Sequence, residues 1–189
     1  MLDYRELISP PSLILSLQQE SDAPALFELV HAERERLGRH LSWPPLIHNV
    51  NDTLANIRHN RTEFAAGRSA VYVVRWEGDI AGILSFNTIN DRQAEIGYWL
   101  AARHEGKGVM SRAVAALMSW YGDAGKLDTF IIRCGAANRP SNRLAQRLGF
   151  EFDYCQVRAE KIGDRYVDHN VYCRQYQPGP LTPGLDHRR

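Results

Sequence analysis

The sequence predicts an α/β fold, a single domain with seven strands and four helices. Two observations carry this prediction. Segments with apolar residues at helical spacing alternate with shorter runs of β-branched and aromatic residues, which glycine turns separate. One of these runs, residues 94–100, leads through two closely spaced glycines directly into an amphipathic helix. At 189 residues the chain has the size of one domain and can bury a substantial core.

The first half of the chain begins with a strand and two helices. Pro24 suits the first turn of the first helix, and Pro44 with Pro45 ends the helical pattern. Gly78 marks a hairpin between two of the three strands that follow, which form a meander. The predicted elements are a strand over 12–17, helices over 22–36 and from caps at 51–53 towards 67, and strands over 70–76, 80–89 and 94–100.

The second half begins with the amphipathic helix. Its apolar residues lie three and four positions apart on one face: Met110, Ala113, Val114, Leu117, Met118 and Tyr121. The later elements are a strand over 129–133, a helix over 140–148 ended by Gly149, and strands over 150–160 and 167–174. Residues 1–176 form the predicted domain, and residues 177–189, rich in proline, glycine and charge, form a predicted flexible tail.

The composition excludes several classes of protein. Lys and Arg number 23 against 22 Asp and Glu, a net charge of +1, so no overall field would attract nucleic acid or an anionic membrane. Because no apolar run approaches the ~20 residues of a membrane helix and the N-terminus lacks a secretory signal, we expect a cytoplasmic protein. Cys134, Cys155 and Cys173 form no CxxC motif, which argues for reduced structural cysteines and against a disulfide framework or metal site.

The loop before the amphipathic helix has the chemistry of an anion site. It consists of Arg103, His104, Glu105, Gly106, Lys107 and Gly108. Its glycines permit backbone conformations that aim several N–H groups at phosphate oxygens beside the positive end of the helix. Neither a Walker loop nor a dinucleotide fingerprint fits, since Ser111 stands where the latter needs its third glycine. We therefore expect a bound pyrophosphate.

This loop resembles the coenzyme A loop of the GNAT N-acetyltransferases, Arg/Gln-x-x-Gly-x-Gly/Ala. The resemblance extends over residues 12–176, and further pieces resemble the RimJ/RimL-type branch, which acetylates the N-termini of ribosomal proteins. Those pieces are residues 41–44, 94–100 and 138–142, together with Gly149-Phe150 and Ala159-Glu160. The resemblance implies a GNAT fold with a mixed, mostly antiparallel sheet of about seven strands flanked by about four helices, and often a homodimer.

The family resemblance also implies how acetyl-CoA binds. It would lie between two splayed strands, one ending at Leu100 and the other near Cys134, and would need no metal. Backbone groups of Trp99 and Leu100 would bind pantetheine and polarise the acetyl carbonyl. The loop from Arg103 to Gly108, with Val109, would hold the pyrophosphate. Arg103 could instead be a solvated charge beside the helix, and His104 could touch phosphate or only cap the turn.

Ser141 is a candidate general acid. It shares a helical face with Leu144 and Leu148 and so points inward. A first-turn serine can simply satisfy a backbone group. The resemblance instead assigns it the protonation of the departing thiolate, a role that a tyrosine often fills in this fold but that no tyrosine in residues 138–149 could fill here. Asn138 would bind the pantetheine arm, or cap the helix.

Glu160 is the candidate general base. Gln156, Arg158 and Glu160 alternate along one strand as a polar face, which could be plain solvated surface. The resemblance gives Glu160 the role of base, and an α-amino group with a pKa near 8 needs one because it arrives protonated. Glu95 is the rival carboxylate, although it could simply bond loop amides.

The acceptor groove has three further candidates. The resemblance places Trp43 in its wall, where it could equally be a packed connector aromatic. We expect Tyr98 and Glu95 to contact the acceptor as well. The stretch 37–61 is basic and aromatic rather than acidic, which favours a peptide over a polyamine.

The predicted activity is transfer of acetyl from acetyl-CoA to the α-amine of a protein N-terminus, such as a serine-starting ribosomal protein, by direct attack in a ternary complex. No acyl-cysteine intermediate is required. The alternatives are acetylation of a small amine, such as a polyamine or amino sugar, and a non-catalytic acyl-CoA-binding sensor. A nucleic-acid-binding module is disfavoured by the balanced charge.

Overall fold

A mixed sheet of eight strands forms the centre of the protein, seen in a computed structural model that describes residues 6–9 and 12–178. The strands are β1 Glu6–Ser9, β2 Leu13–Leu17, β3 Ala70–Trp76, β4 Asp79–Asn90, β5 Gln93–Leu100, β6 Thr129–Gly135, β7 Glu151–Ile162 and β8 Arg165–Gln175. Their order is β1-β2-β3-β4-β5-β6-β8-β7. Only the β5 and β6 pair is parallel among the described strands, so the predicted mixed, mostly antiparallel sheet is confirmed.

Five helices cover the two faces of this sheet within the described ranges. They are α1 Ala23–Ala32, α2 Arg34–Leu37, α3 Val50–Ala65, α4 Val109–Asp123 and α5 Arg139–Arg147. The N-cap of α3 is Asn49, which forms a capping box with Asp52, two residues before the predicted cap at 51. None of the described helices is long and apolar enough to cross a membrane.

The element count differs from the prediction by one strand and one helix. Strand β1 was not predicted, because a short segment before two prolines carries little pattern, yet it pairs along β2 from Glu6 to Ser9. The predicted helix over 22–36 is two helices, since Glu33 leaves helical geometry with φ −108° and ψ 12°. The predicted tail, residues 177–189, lies outside the described residues from 179 onwards.

Alternating side chains of the strands feed two separate cores. On one face Tyr72 and Phe86 pack with the predicted apolar face of α4, whose six residues are all buried. On the other face Val73 packs with α1 and α3, through residues such as Leu26 and Ile57. The sheet therefore has an α4/α5 face and an α1–α3 face, and a site that passes through the sheet can use side chains from both.

Candidate active site

An opening in the sheet lies between β5 and β6. The two strands pair only from Gln93 to Ile96 on β5, opposite Thr129 to Ile132 on β6. Past this junction β5 continues along β4 alone, and β6 continues along β8 alone, within the described residues. A cavity of about 1050 Å³ occupies the divergence and extends under α1–α3. The geometry matches the expected pair of splayed strands.

The open side of β5 exposes backbone groups to this gap. Ala101 donates its N–H to Ala81 on β4, so by antiparallel alternation the peptide groups of Trp99 also face β4. The carbonyl of Trp99 indeed lies so close to Gly82 that a Cβ there would come within 2.1 Å of it. The peptide groups of Tyr98 and Leu100 consequently face the gap. Of the two predicted backbone contacts, Leu100 is on the open side and Trp99 is not.

The glycine loop has the backbone geometry that its sequence predicts. Gly106 and Gly108 have φ of +73° and +72°, in the left-handed region that favours glycine. No atom lies within 4 Å of a Cβ built on either residue, so conformation and not space requires glycine there. Gly108 caps α4 directly before buried Val109. The N-terminus of a helix of 15 residues therefore opens onto the loop, while the side chain of Lys107 is exposed.

Side chains of the loop are held in different ways. Arg103 is exposed, lies 3.6 Å from the Asp79 carboxylate, and donates to Nε2 of His104 at 3.0 Å. His104 is buried, and its Nδ1 has no partner among the described residues. Burial, with the nearby Arg103 and Lys107 cations, lowers the pKa of His104. A neutral imidazole thus has a spare N–H donor beneath the loop.

Arg36 of α2 connects the loop to the end of β5. Its guanidinium donates to the Glu105 carboxylate at 2.7 Å, to the Leu100 carbonyl at 2.6 Å, and to Glu33. Glu33 in turn accepts the backbone N–H of Ala102 at 2.9 Å. Arg36 therefore compensates the negative charge of Glu105, which reduces the repulsion between this carboxylate and an anion bound at the loop.

A pair of hydroxyl groups lies on the α4/α5 face of the gap. Ser141 of α5 has its Oγ 2.9 Å from the Tyr98 hydroxyl, and both residues line the cavity. Its backbone N–H is taken by the Asn138 side chain at 3.4 Å, so Asn138 is the N-cap of α5 and also lines the cavity. The Ser141 hydroxyl bonds a side chain across the gap instead of the backbone group of its own turn. Tyr98 points away from Trp43, towards α5.

A carboxylate lies on the α1–α3 face. Glu160 accepts a hydrogen bond from the Ser42 hydroxyl at 2.7 Å on one oxygen, and His169 lies 3.2 Å from the other. Glu160 and His169 line the cavity, whereas Ser42 does not. A bulge between Gln156 and Glu160 changes the predicted polar face, because Arg158 adopts φ +53° and stacks over Tyr166. Gln156 and Glu160 face the cavity, whereas Arg158 does not line it.

Glu95, the rival carboxylate, is already paired. Its Oε2 accepts from Arg133 Nε at 2.9 Å, and Arg133 also bonds Gln156 at 3.1 Å. Glu95 and Arg133 both line the cavity. The predicted bond to loop amides is replaced by this ion pair between β5 and β6. Glu95 is therefore bound to a guanidinium, whereas the partners of Glu160 are a hydroxyl and an imidazole.

Trp43 fits both descriptions that the sequence allowed. Its ring centroid lies 6.3 Å from that of Trp99, so it packs as a connector aromatic against the sheet, and it also lines the cavity. Gly97 of β5 also lines the cavity, and a Cβ there would come within 2.4 Å of the Asn87 amide. The Ser85 hydroxyl donates to Asn87 at 2.7 Å. The cavity wall here is close-packed.

Sequence reasoning missed three residues of the site: Ser42, His169 and Arg36. Ser42 and His169 reach Glu160 from a loop and from the neighbouring strand, so only the tertiary pairing brings them together. One signal was available for His169, since it alternates with Val167 and Val171 on a strand predicted to pair with that of Glu160. In the described part of the chain no group of His, Cys, Asp or Glu side chains is arranged to hold a metal ion.

The sequence and the geometry of the chain are similar to those of known acetyltransferases. The profile of the acetyltransferase (GNAT) domain matches residues 12–151. The ribosomal-protein-serine acetyltransferase of Escherichia coli (strain K12) is 34% identical over 165 residues, which are 86% of this chain and 92% of that protein.

Two solved structures superpose closely. One is RimL, a ribosomal L7/L12 alpha-N-protein acetyltransferase in complex with coenzyme A, with a TM-score of 0.88, 32% identity, and coverage of 90% of this chain and 97% of that one. The other is the microcin C7 self-immunity acetyltransferase MccE, in complex with acetyl-CoA and AMP, with a TM-score of 0.85, 28% identity, and coverage of 87% and 93%. The splayed strands and the glycine loop thus occur in a chain that belongs to the GNAT acetyltransferase family and is similar to members of its RimJ/RimL-type branch.

Proposed function

We propose that the protein transfers acetyl from acetyl-CoA to the α-amino group of a protein N-terminus, by direct attack within a ternary complex. The observation that carries the proposal is the gap between β5 and β6. It connects a carboxylate on one face of the sheet with a pair of hydroxyls on the other. An amine that entered from the α1–α3 face would meet a thioester in the gap with a base on its own side and a proton donor behind the sulfur.

This chain has suitable groups for each part of acetyl-CoA, which would supply an activated acyl group. The N–H groups of residues 103–108, at the N-terminus of α4, suit the pyrophosphate, and the spare Nδ1–H of His104 lies beneath them. The open peptide groups of Tyr98 and Leu100 suit the pantetheine amides and the acetyl carbonyl. The Leu100 carbonyl already accepts a hydrogen bond from Arg36, so a pantetheine amide would share this carbonyl with Arg36 or displace Arg36 from it.

Glu160 is the proposed base. It would take a proton from the acceptor ammonium, whose pKa lies near 8, before the nitrogen attacks. Ser42 and His169 each hold one of its oxygens and so orient it. A covalent acyl-cysteine is unfavourable, because burial raises the pKa of Cys134 to about 11, and Cys155 and Cys173 do not line the cavity. Direct attack by the amine remains.

The proposed acceptor is a serine-starting ribosomal protein. The E. coli relative is named for that activity. The cavity supports a peptide over a polyamine, because Arg133 compensates Glu95 and Glu160 is the other carboxylate among the described lining residues, fewer than a polycation needs. Such an acceptor would place the enzyme in the cytoplasm.

A small acceptor is the second candidate. It is favoured by the likeness to MccE, whose structure contains AMP beside acetyl-CoA. A non-catalytic acyl-CoA sensor is the weakest candidate, because it would have no use for an oriented carboxylate such as Glu160.

The test is acetyl-CoA-dependent thiol release with short peptides that start in Ser, Ala or Met, alongside spermidine and an aminoglycoside, followed by mass spectrometry. We expect α-acetylation of the serine peptides above the others. Turnover only with the small amines would show that the acceptor is a small amine and not a protein N-terminus. Coenzyme A binding without turnover on any acceptor would favour the sensor.

The proposed oligomer is a homodimer. Strand β7 is an edge of the described sheet, and it exposes Phe152 and Val157, with 57% and 70% of their surface accessible. An exposed apolar edge strand is a common site of association. Light scattering should give twice the monomer mass, and charged substitutions at both residues should halve it.

A further inference from the structure

We infer that Tyr98 is a second proton donor of the reaction and acts with Ser141 as one hydroxyl pair. This inference rests on the proposed acetyl transfer. It assigns a chemical role to a residue for which the sequence suggested contact with the acceptor. The phenol comes from β5, and it supplies a donor that α5, which contains no tyrosine, lacks.

The position of Tyr98 is the first argument. It is the second residue past the β5/β6 junction, where the strands have begun to diverge. Its hydroxyl lies 2.9 Å from Ser141 Oγ, and either oxygen can donate. A longer contact of 3.5 Å reaches the Ser141 carbonyl. The pair therefore spans the gap on the face opposite Glu160, where the sulfur of a thioester attacked from the α1–α3 face would leave.

The protonation state of the pair is the second argument. Burial raises the pKa of Tyr98 to about 12, the bond to Ser141 acts in the opposite direction, and the other nearby groups are Cys134, Arg147 and Tyr172. The phenol is consequently protonated at neutral pH. A phenol is a far stronger acid than a serine hydroxyl, so in a chain of two hydroxyls the phenol is the source of the proton.

The proton balance of the step closes with the groups on the two faces. Glu160 takes one proton from the ammonium and passes it to solvent. As the C–N bond forms and the C–S bond breaks, Ser141 gives its hydroxyl proton to the thiolate sulfur and receives that of Tyr98. Tyr98 recovers a proton from the second N–H of the attacking nitrogen, through water in the cavity. The products are an amide and a thiol, with one proton released.

One test uses coenzyme A binding without turnover. In the binary complex, the ultraviolet absorbance of the coenzyme A thiolate is titrated against pH for the native protein, Tyr98→Phe, Ser141→Ala and the surface control Tyr166→Phe. If the hydroxyl pair stabilises the thiolate, Tyr98→Phe and Ser141→Ala each lower the thiol ionisation constant about tenfold. Tyr166→Phe should leave it unchanged. Identical titrations in all four proteins would overturn the inference.

The second test is a double-mutant cycle in turnover. Tyr98→Phe and Ser141→Ala should each reduce kcat about 10²-fold with little change in the KM for acetyl-CoA, and the double variant should lose little more than the worse single variant. Losses that multiply would mean separate roles and would overturn the pair, as would a native kcat in Tyr98→Phe. If the native protein acetylates no amine, the proposed function fails, whereas the thiolate titration still decides whether the pair exists.

Discussion

The two faces of the sheet handle protons in opposite environments. On the α1–α3 face, Glu160 is partly exposed and bonded to Ser42 and His169, in a cavity open to solvent. On the α4/α5 face, Tyr98 and Ser141 are neutral hydroxyls bonded to each other beside the larger core. A charged carboxylate suits the receipt of a proton, and a neutral hydroxyl suits its delivery. The sheet thus separates the base from the acid, and only the gap connects them.

The sharpest way to break this comparison is to remove the negative charge on the α1–α3 face. Glu160→Gln keeps an acceptor for Ser42 but cannot take a proton, so we expect kcat to fall by about 10²-fold or more with acetyl-CoA affinity nearly intact. Glu95→Gln should cost less, since Glu95 is engaged by Arg133. Steady-state kinetics with calorimetric binding would check both. The exposed Glu151→Gln on the same strand is the control, and a larger loss in Glu95→Gln would exchange the roles of the two carboxylates.

The partner of the carboxylate offers a finer probe. His169→Gln should lower kcat about tenfold, because Glu160 loses the group that orients one oxygen. If His169 only packs, kcat stays at the native value; if it orients Glu160, kcat falls while the KM for acetyl-CoA is unchanged. The exposed His59→Gln on α3 is the matched control. A native kcat in His169→Gln would mean that His169 lines the cavity without a part in the reaction.

The raised pKa of Tyr98 on the α4/α5 face should be visible in the stability of the protein at alkaline pH. Because folding raises the pKa of Tyr98 from 10.0 to about 12, the unfolded chain loses this proton first, and stability falls as pH rises from 10 towards 12. At pH 11 the loss attributable to Tyr98 is about 1 kcal/mol relative to pH 9. Urea unfolding at both pH values should show a smaller decrease in Tyr98→Phe than in the native protein or in Tyr166→Phe. Equal decreases would mean that the phenol is not buried as described.

The smallest expected effect on stability and binding comes from the glycine loop, residues 103–108, before α4. Gly108→Ala forces an L-residue into φ +72° and should cost about 1 kcal/mol of stability, with weaker coenzyme A binding. Gly125→Ala is matched, since Gly125 has φ +67°, equally open surroundings, and a place just past the other end of α4. We expect similar melting temperatures for the two variants and weaker coenzyme A binding, by calorimetry, in Gly108→Ala alone. Equal affinities would show that the loop geometry does not matter for the cofactor.

Local patterns predicted most of the fold. The turn at Gly78, the apolar face of α4 and the glycine loop are short-range features, and the structure has each where the sequence places it. Strand β1 and the break at Glu33 were missed because neither has a local signal stronger than its neighbours. Strand β1 is stabilised by its pairing with β2.

The candidate site was predictable only as separate pieces. Glu160 and Ser141 were recognised, but their partners Ser42, His169 and Tyr98 come from distant segments. The alternation of residue types over 94–100 predicted which side chains share a face of the sheet. It did not predict which peptide groups form hydrogen bonds to β4. Hydrogen-bond phase depends on register, which a single strand does not encode.

The junction of β5 and β6 bears on how the chain folds. Hairpins join β3 to β4, β4 to β5 and β7 to β8, whereas β2 pairs with β3 across the long segment that contains α1–α3. Four residue pairs connect β5 with β6 in the described sheet. The hairpins can form from contacts near in sequence, and docking of β5 on β6 can come late. Native-state hydrogen exchange should then report opening at residues 93–96 before opening within the hairpins. A ligand that contacts both β5 and β6 would bind only when the two strands are docked, and so its binding would stabilise the docked state.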